Sequence, residues 1–350
     1  MVTKNLQSQN RRSFLSTSVK GSLGLATLSL PSLSFASNKQ ITWRVVLQHR
    51  NGAQHKKWLW LEEELPKRTN NRLKIELTTI PELGLQGTEI LRVLKTGMVD
   101  VAEVLTGYVA SDFPAMEATD LPGLISSYPQ ARTVYDTWVQ AVVNNNEAMM
   151  GGKTIATFSY GTMPVFTKFP LNSLEDFQGQ KIRVFSPAQA RYITALGGEP
   201  ISMPIADVYS ALQRGIMDGL ITGLEWVSGM KMWEIAGHVS DINIAPLGCY
   251  IVVSQRSWER LPEDLKTIVL GLSEELTDLG WQLGQEDMDS GLRLAAEHNM
   301  TINIPGKDTW QPRLKQICEE DILPWWAKRA GKKGVESFNE ALSPILTISA

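Results

Sequence analysis

The sequence predicts an α/β protein of two like lobes, and three observations carry that prediction. Between residues 42 and 104, apolar runs of period two alternate with runs of helical period, in the order strand, helix, strand, helix, strand. That order implies a parallel sheet with right-handed crossovers. Next, one short pattern occurs twice, as Val93–Asp100 and as Ala211–Asp218. Each copy reads as the end of a helix, a Gly able to take positive φ, and a strand entered through an Asp. Small residues follow in both, Thr106-Gly107 and Thr222-Gly223. The pattern suits two lobes whose strand C-terminal ends face each other, the edge at which open parallel sheets bind ligands. Last, a chain of 350 residues is long enough for two cores at ~100–200 residues each.

The first 36 residues read as a targeting segment. Asn10-Arg11-Arg12-Ser13-Phe14-Leu15 precedes a weakly apolar stretch, Gly21 to Leu30, and then Ser34-Phe35-Ala36. A charged region, a short apolar region and a small-x-small site predict cleavage after Ala36. Paired arginines followed by Phe-Leu resemble a twin-arginine signal, which places the expected working compartment in a bacterial periplasm. The segment holds four basic residues and no acid, so its removal moves the net charge from −3 to −7. A mildly acidic surface argues against nucleic acid as a partner. No later apolar run is long enough to span a bilayer, so no stable membrane insertion of the mature chain is expected.

In the mature chain, Thr42–Leu47 is the first strand, and the spacing of Trp58, Leu61 and Leu65 predicts a helix ending near Lys67-Arg68. Leu73–Leu77 alternates as a second strand, Glu89–Thr96 is helical with Gly97 just past its end, and Val99–Val104 is a third strand. Gln130 to Met150 reads as one helix. Thr154–Phe158 and Met163–Phe166 are strands around Tyr160-Gly161, a crossing between lobes, and His238–Ile244 with Cys249–Ser254 cross back. Leucines at helical spacing carry a long helix from Pro262 to about His298, with acids in its first turn. Thr301–Ile304 is a short strand, and two amphipathic helices around Trp325-Trp326 and Phe338 close the chain. The expected lobes are residues 37–160 with about 248–290, and residues 161–247 with about 291–350.

Chemistry is sparse. The four histidines, His49, His55, His238 and His298, show no metal-ligand spacing. No CxxC, GxSxG, Walker A or GxGxxG pattern occurs, and no cofactor or metal is expected. Glu62-Glu63-Glu64 reads as a solvated helix face. Cys249 and Cys318 are expected as two buried thiols. What does stand out is Lys181-Ile182-Arg183-Val184, which sets a guanidinium on a short apolar strand between Gly179 and Ser186-Pro187. The planar donor fork of Arg matches a carboxylate with two hydrogen bonds.

Four stretches together resemble the solute-binding proteins of TRAP (tripartite ATP-independent periplasmic) transporters, the DctP-like family. They are Ile80–Gly84, Leu174–Val184, Asp207–Gly219 and Leu261–Leu265, and the similarity covers nearly the whole mature chain. The resemblance implies a two-lobe periplasmic-binding-protein fold with crossover strands and a long hinge helix spanning both lobes. It implies a cleft that closes on an organic acid without chemistry and delivers it to TRAP membrane permease subunits. The family's carboxylate-binding Arg matches Arg183, and the residue that closes the site after the second Asp-Gly strand falls on Thr222. Where sialic-acid-type relatives carry a second Arg, this chain has Met163. With Tyr108 and Trp226 expected nearby, that departure points to a monocarboxylate with an apolar or aromatic body. Gln48, His49 and Glu225, at a strand end and a helix start, complete the expected ligand-binding set. The alternatives are a ligand-presenting sensor component for a signalling receptor, and a periplasmic enzyme acting on a small organic acid.

Overall fold

The computed structural model describes residues 40–350 apart from Ser126 and Gly306, so the export signal expected at residues 1–36 lies outside the described residues. The described strands are β1 (Ile41–Leu47), β2 (Leu73–Thr79), β3 (Val101–Leu105), β4 (Gly152–Thr162), β5 (Val165–Thr167), β6 (Lys181–Val184), β7 (Glu199–Ser202), β8 (Gly219–Ile221), β9 (His238–Ser240), β10 (Pro246–Ser254) and β11 (Thr301–Asn303). They form a five-stranded sheet, ordered β2-β1-β3-β10-β4, and a six-stranded sheet, ordered β11-β9-β5-β8-β6-β7. Strands β1, β2 and β3 run parallel, joined through the helices His55–Arg68 and Ile90–Lys95, as their alternating patterns predict.

The sheets are mixed rather than parallel. β10 lies antiparallel between β3 and β4, and β5 lies antiparallel between β8 and β9. The cause is the crossing of the chain. β4 leaves the first sheet at the end facing the second, and β10 re-enters at that same end, so the two must run in opposite directions. Every residue of β10 is buried, which its unbroken apolar run allows but which says nothing of its direction. At the crossing itself the two passing segments bond to each other: Met163 N–H donates to Ala245 C=O (2.9 Å) and Ile244 N–H to Met163 C=O (3.2 Å).

The duplicated pattern is a real structural repeat. Gly97 (φ 67°) and Gly215 (φ 74°) both take the left-handed conformation. Met98 N–H bonds back to Val93 C=O and Ile216 N–H to Ala211 C=O, ending each helix in the same turn. Beyond it, Asp100 and Arg44 exchange two bonds, since Arg44 N–H donates to the carboxylate of Asp100 and Asp100 N–H to Arg44 C=O. Asp218 and Lys181 exchange the same two. The Asp thus pins each strand to its neighbour.

The long helix Glu263–Glu297 joins the two halves. Leu265, Val269, Leu272, Leu276 and Leu283 are its buried stripe. A Cβ at Gly284 would lie 2.2 Å from the Ser159 carbonyl oxygen, and one at Gly291 would lie 2.6 Å from that of Leu224. One glycine therefore brings the helix against β4 of the first sheet, and the other against the loop after β8 of the second.

Two stretches depart from a simple helical reading. Tyr128–Trp138 is helical, but Val139–Val143 is a π turn, followed by a 3-10 turn and the short helix Glu147–Met150. The wider turn lets the adjacent Val142 and Val143 both face the core. The stretch Leu323–Ala341 is two helices broken at Gly331 (φ 70°, ψ 176°); it packs on Pro114–Thr119, with Trp326 Nε1–H donating to Pro114 C=O (2.9 Å), while Asp321 just before it pairs with Arg191 beside the second sheet. Cys249 and Cys318 are both buried and free. No helix among the described residues is long and apolar enough to cross a membrane.

Candidate ligand-binding site

Between the sheets lies a cavity of about 140 Å³, lined from both sides. From the first sheet come Gln48 and His49 after β1, Pro81 after β2, and Leu105 and Tyr108 at the end of β3. The second contributes Arg183 and Phe185 from β6, Asp207 in the helix Ile205–Gln213, and Thr222, Glu225 and Trp226 after β8. These are the strand C-terminal ends that the repeat predicts would face each other.

Arg183 is 1% exposed, though it carries a charge. Its Nε–H donates to Met203 C=O (2.9 Å) and its Nη1–H to Ile221 C=O (3.2 Å), while Nη2 is buried and makes no hydrogen bond. Its guanidinium faces the ring of Phe185 at 5.0 Å. Burial lowers its pKa, opposed by the neighbouring Tyr108 phenol, yet no carboxylate among the described residues pairs with it. The carbonyl contacts fix the direction of the fork and leave its outer edge open.

In the same cavity Glu225 is 3% exposed, and neither of its carboxylate oxygens has a hydrogen-bond partner. The nearest polar group is His49 Nε2, 3.6 Å from Oε1. His49 Nδ1 accepts from the Asn51 N–H, which leaves Nε2 as the protonated nitrogen of the neutral ring. The same ring meets Trp226 edge-on at 4.7 Å and lies 4.9 Å from Tyr160. Behind Glu225, Asp287 of the long helix accepts from the Ala53 and Gln54 N–H groups. Burial, then the charge of Glu225, pushes its pKa up to about 7.

The first-sheet wall is held by a residue outside the expected set. Glu103 of β3 is fully buried and accepts from Gln48 N–H (2.7 Å), Trp58 Nε1–H (2.6 Å), the Tyr160 hydroxyl (2.8 Å) and the buried Lys57 ammonium (2.9 Å). Burial works against its charge, but Lys57 and the donors outweigh it and hold the carboxyl below its usual range.

Of the expected residues, Arg183, Thr222, Glu225, Trp226, Tyr108, Gln48 and His49 all line the cavity. Met163 does not. It sits at the crossing, fully buried, with its sulfur accepting from Gln189 Nε2–H (3.3 Å). Its backbone is spent on tying two strands together, and its side chain points away from the ligand space. The lining residues Tyr160, Phe185, Pro81 and Asp207 were not among those expected. Phe185 had a signal, since it stands two positions from Arg183 and successive side chains of a strand alternate faces.

A family model described as bacterial extracellular solute-binding protein, family 7, matches residues 47–322. The chain belongs to this family. A sialic acid-binding periplasmic protein of Vibrio cholerae is 22% identical over 299 residues, covering 84% of this chain and 93% of that one. Among solved structures, a TRAP periplasmic solute-binding protein from Desulfovibrio salexigens with bound orotic acid superposes with a TM-score of 0.80 at 18% identity, covering 87% of this chain and 99% of the other. An extracytoplasmic solute receptor of Bordetella pertussis that binds pyroglutamic acid gives 0.78 at 19% identity, over 86% and 99%. The shared fold is the two-lobe α/β architecture with its long helix. A family-7 solute-binding protein binds rather than transforms its ligand, so the enzymatic alternative is set aside.

Proposed function

We propose that this protein works in the periplasm as the solute-binding component of a TRAP transporter, capturing an organic acid with one carboxylate and an apolar or aromatic body and delivering it to the membrane permease. One observation carries the acid: the buried Arg183 guanidinium has an unbonded Nη2 and lines the cavity with no counter-ion among the described residues. A buried cation without a partner is costly, and a ligand carboxylate supplies that partner with charge-assisted bonds. Two features support the rest. Arg183 is the sole Lys or Arg among the described lining residues, which suits a single carboxylate, and Phe185, Tyr108, Leu105 and Trp226 supply apolar walls. A cavity of about 140 Å³ suits a compact ligand, since ~150 Å³ is known to hold a benzene ring.

The test is a thermal-shift and calorimetric screen of mono- and dicarboxylic acids. A monocarboxylate is expected to raise the melting temperature, and Arg183→Ala to weaken its binding by about 2–5 kcal/mol, ~30-fold or more in Kd. An undiminished shift in that variant overturns the assignment.

A further inference from the structure

We infer that the acid held here also carries an N–H donor, an amine or an amide nitrogen, seated on Glu225. The inference rests on the carboxylate reading above and extends it to the ligand's second polar group.

The argument begins with an imbalance. Two oppositely charged side chains line one small cavity, each more than nine-tenths buried, and they do not pair with each other. Arg183 leaves Nη2 without a hydrogen bond, and Glu225 leaves both Oε1 and Oε2 without one. A buried ionised carboxylate accepting nothing is among the costliest arrangements a fold can hold. The protein had near donors and does not use them. His49 keeps its Nε2 at 3.6 Å from Oε1, beyond hydrogen-bond length, and is held there by its Asn51 contact and by the Trp226 and Tyr160 rings. Oε2 has no hydrogen-bond partner and lies against Gly223, where an added Cβ would stand 2.0 Å away. Asp287 behind it adds a second acid rather than a cation.

A simple monocarboxylate would repair only half of this. It would neutralise Arg183 and bring a further negative charge into a cavity that already contains Glu225. A ligand that carries an N–H group beside its carboxylate can satisfy both side chains at once. A protonated amine also cancels the charge that the ligand's own carboxylate brings in. An amide N–H supplies the hydrogen bond alone, and a protonated amine supplies the opposite charge as well.

Matched pairs of ring acids that differ only at the nitrogen test this: proline against cyclopentanecarboxylate, pipecolate against cyclohexanecarboxylate, and 2-aminobenzoate against benzoate. Isothermal titration of the intact mature protein is expected to show the nitrogen-bearing member binding at least ~10-fold tighter in one or more pairs. In Glu225→Leu, which removes the acceptor and the buried charge together, that preference is expected to vanish or reverse. Glu225→Gln, closest in shape, controls for folding and is expected to lose most of the preference for the protonated amines. If the carbocyclic acids bind as tightly as their partners and Arg183→Ala abolishes both, the N–H inference is overturned and the carboxylate reading stands. If no acid in any pair binds, the carboxylate reading falls and this inference with it.

Discussion

Arg183 and Glu103 are both buried charged residues on short strands, and their surroundings treat them in opposite ways. Glu103 is saturated by Lys57, Trp58, Tyr160 and Gln48, whereas Arg183 keeps one nitrogen open. The first arrangement holds a wall in place and the second awaits a ligand. Glu103→Gln is expected to cost about 3–5 kcal/mol, because Lys57 is left charged and buried without its counter-ion. Urea denaturation measures that loss, and a Lys57→Met change on top of it is expected to restore part. Arg183 was legible through the family resemblance, whose carboxylate-binding Arg it matches; alone, a guanidinium on a short apolar strand reads as an exposed edge residue. Glu103 carried the same kind of signal, a lone acid in the otherwise apolar Val101–Leu105, and it went unread because its four partners come from three separate segments. The openness of Glu225 could not be read at all. At the start of a short helix it resembles any solvated acid, and only the fold shows that nothing meets it.

Among the elements, those defined by local periodicity and punctuation were legible. The three parallel strands, the long helix and the two helix-ending glycines follow from residue spacing and from the φ freedom of Gly97 and Gly215. The insertion of β10 between β3 and β4 was not, because an all-apolar run fits any central strand in either direction. Nor was the π turn at Val139–Val143, which answers to a packing demand and not to a local preference. Three glycines of the long helix, Gly280, Gly284 and Gly291, are contact points. Replacing Gly291 by Val would drive a side chain into the Leu224 carbonyl, 2.6 Å from where its Cβ must sit. The expected cost is about 1–3 kcal/mol of overpacking, read as a lowered melting temperature, with weaker ligand binding because Leu224 precedes Glu225. Leu270→Ala on the exposed face of the same helix is expected to change neither by much, which makes it the control.

For the molecule as a whole, Asp287 links protonation to stability. Its native pKa of about 7 stands above the ordinary 3.8, chiefly through burial, with the charge of Glu225 adding to the rise. Between roughly those two values the folded protein retains a proton that the unfolded chain has lost, so stability from this group falls as pH rises and levels off above 7. Asp287→Asn is expected to flatten the decline in melting temperature between pH 5 and 8, and a decline as steep as that of the wild type would show the group to be uninvolved. The crossing at Met163 has a consequence of its own. Two strands cross side by side, tied by a two-bond rung, and a rod of helix bridges the same gap. Such a joint resists stretching and shear, and bends far more readily than it slides. Leu247, one residue past the start of β10, lines the cavity, so the ligand sits beside the fulcrum. A bend that moves ligand contacts by a fraction of an ångström sweeps the outer rims of the lobes through a much longer arc. The geometry is that of a lever loaded near its pivot, so a ligand-driven bend would register most strongly on surfaces that never touch the ligand.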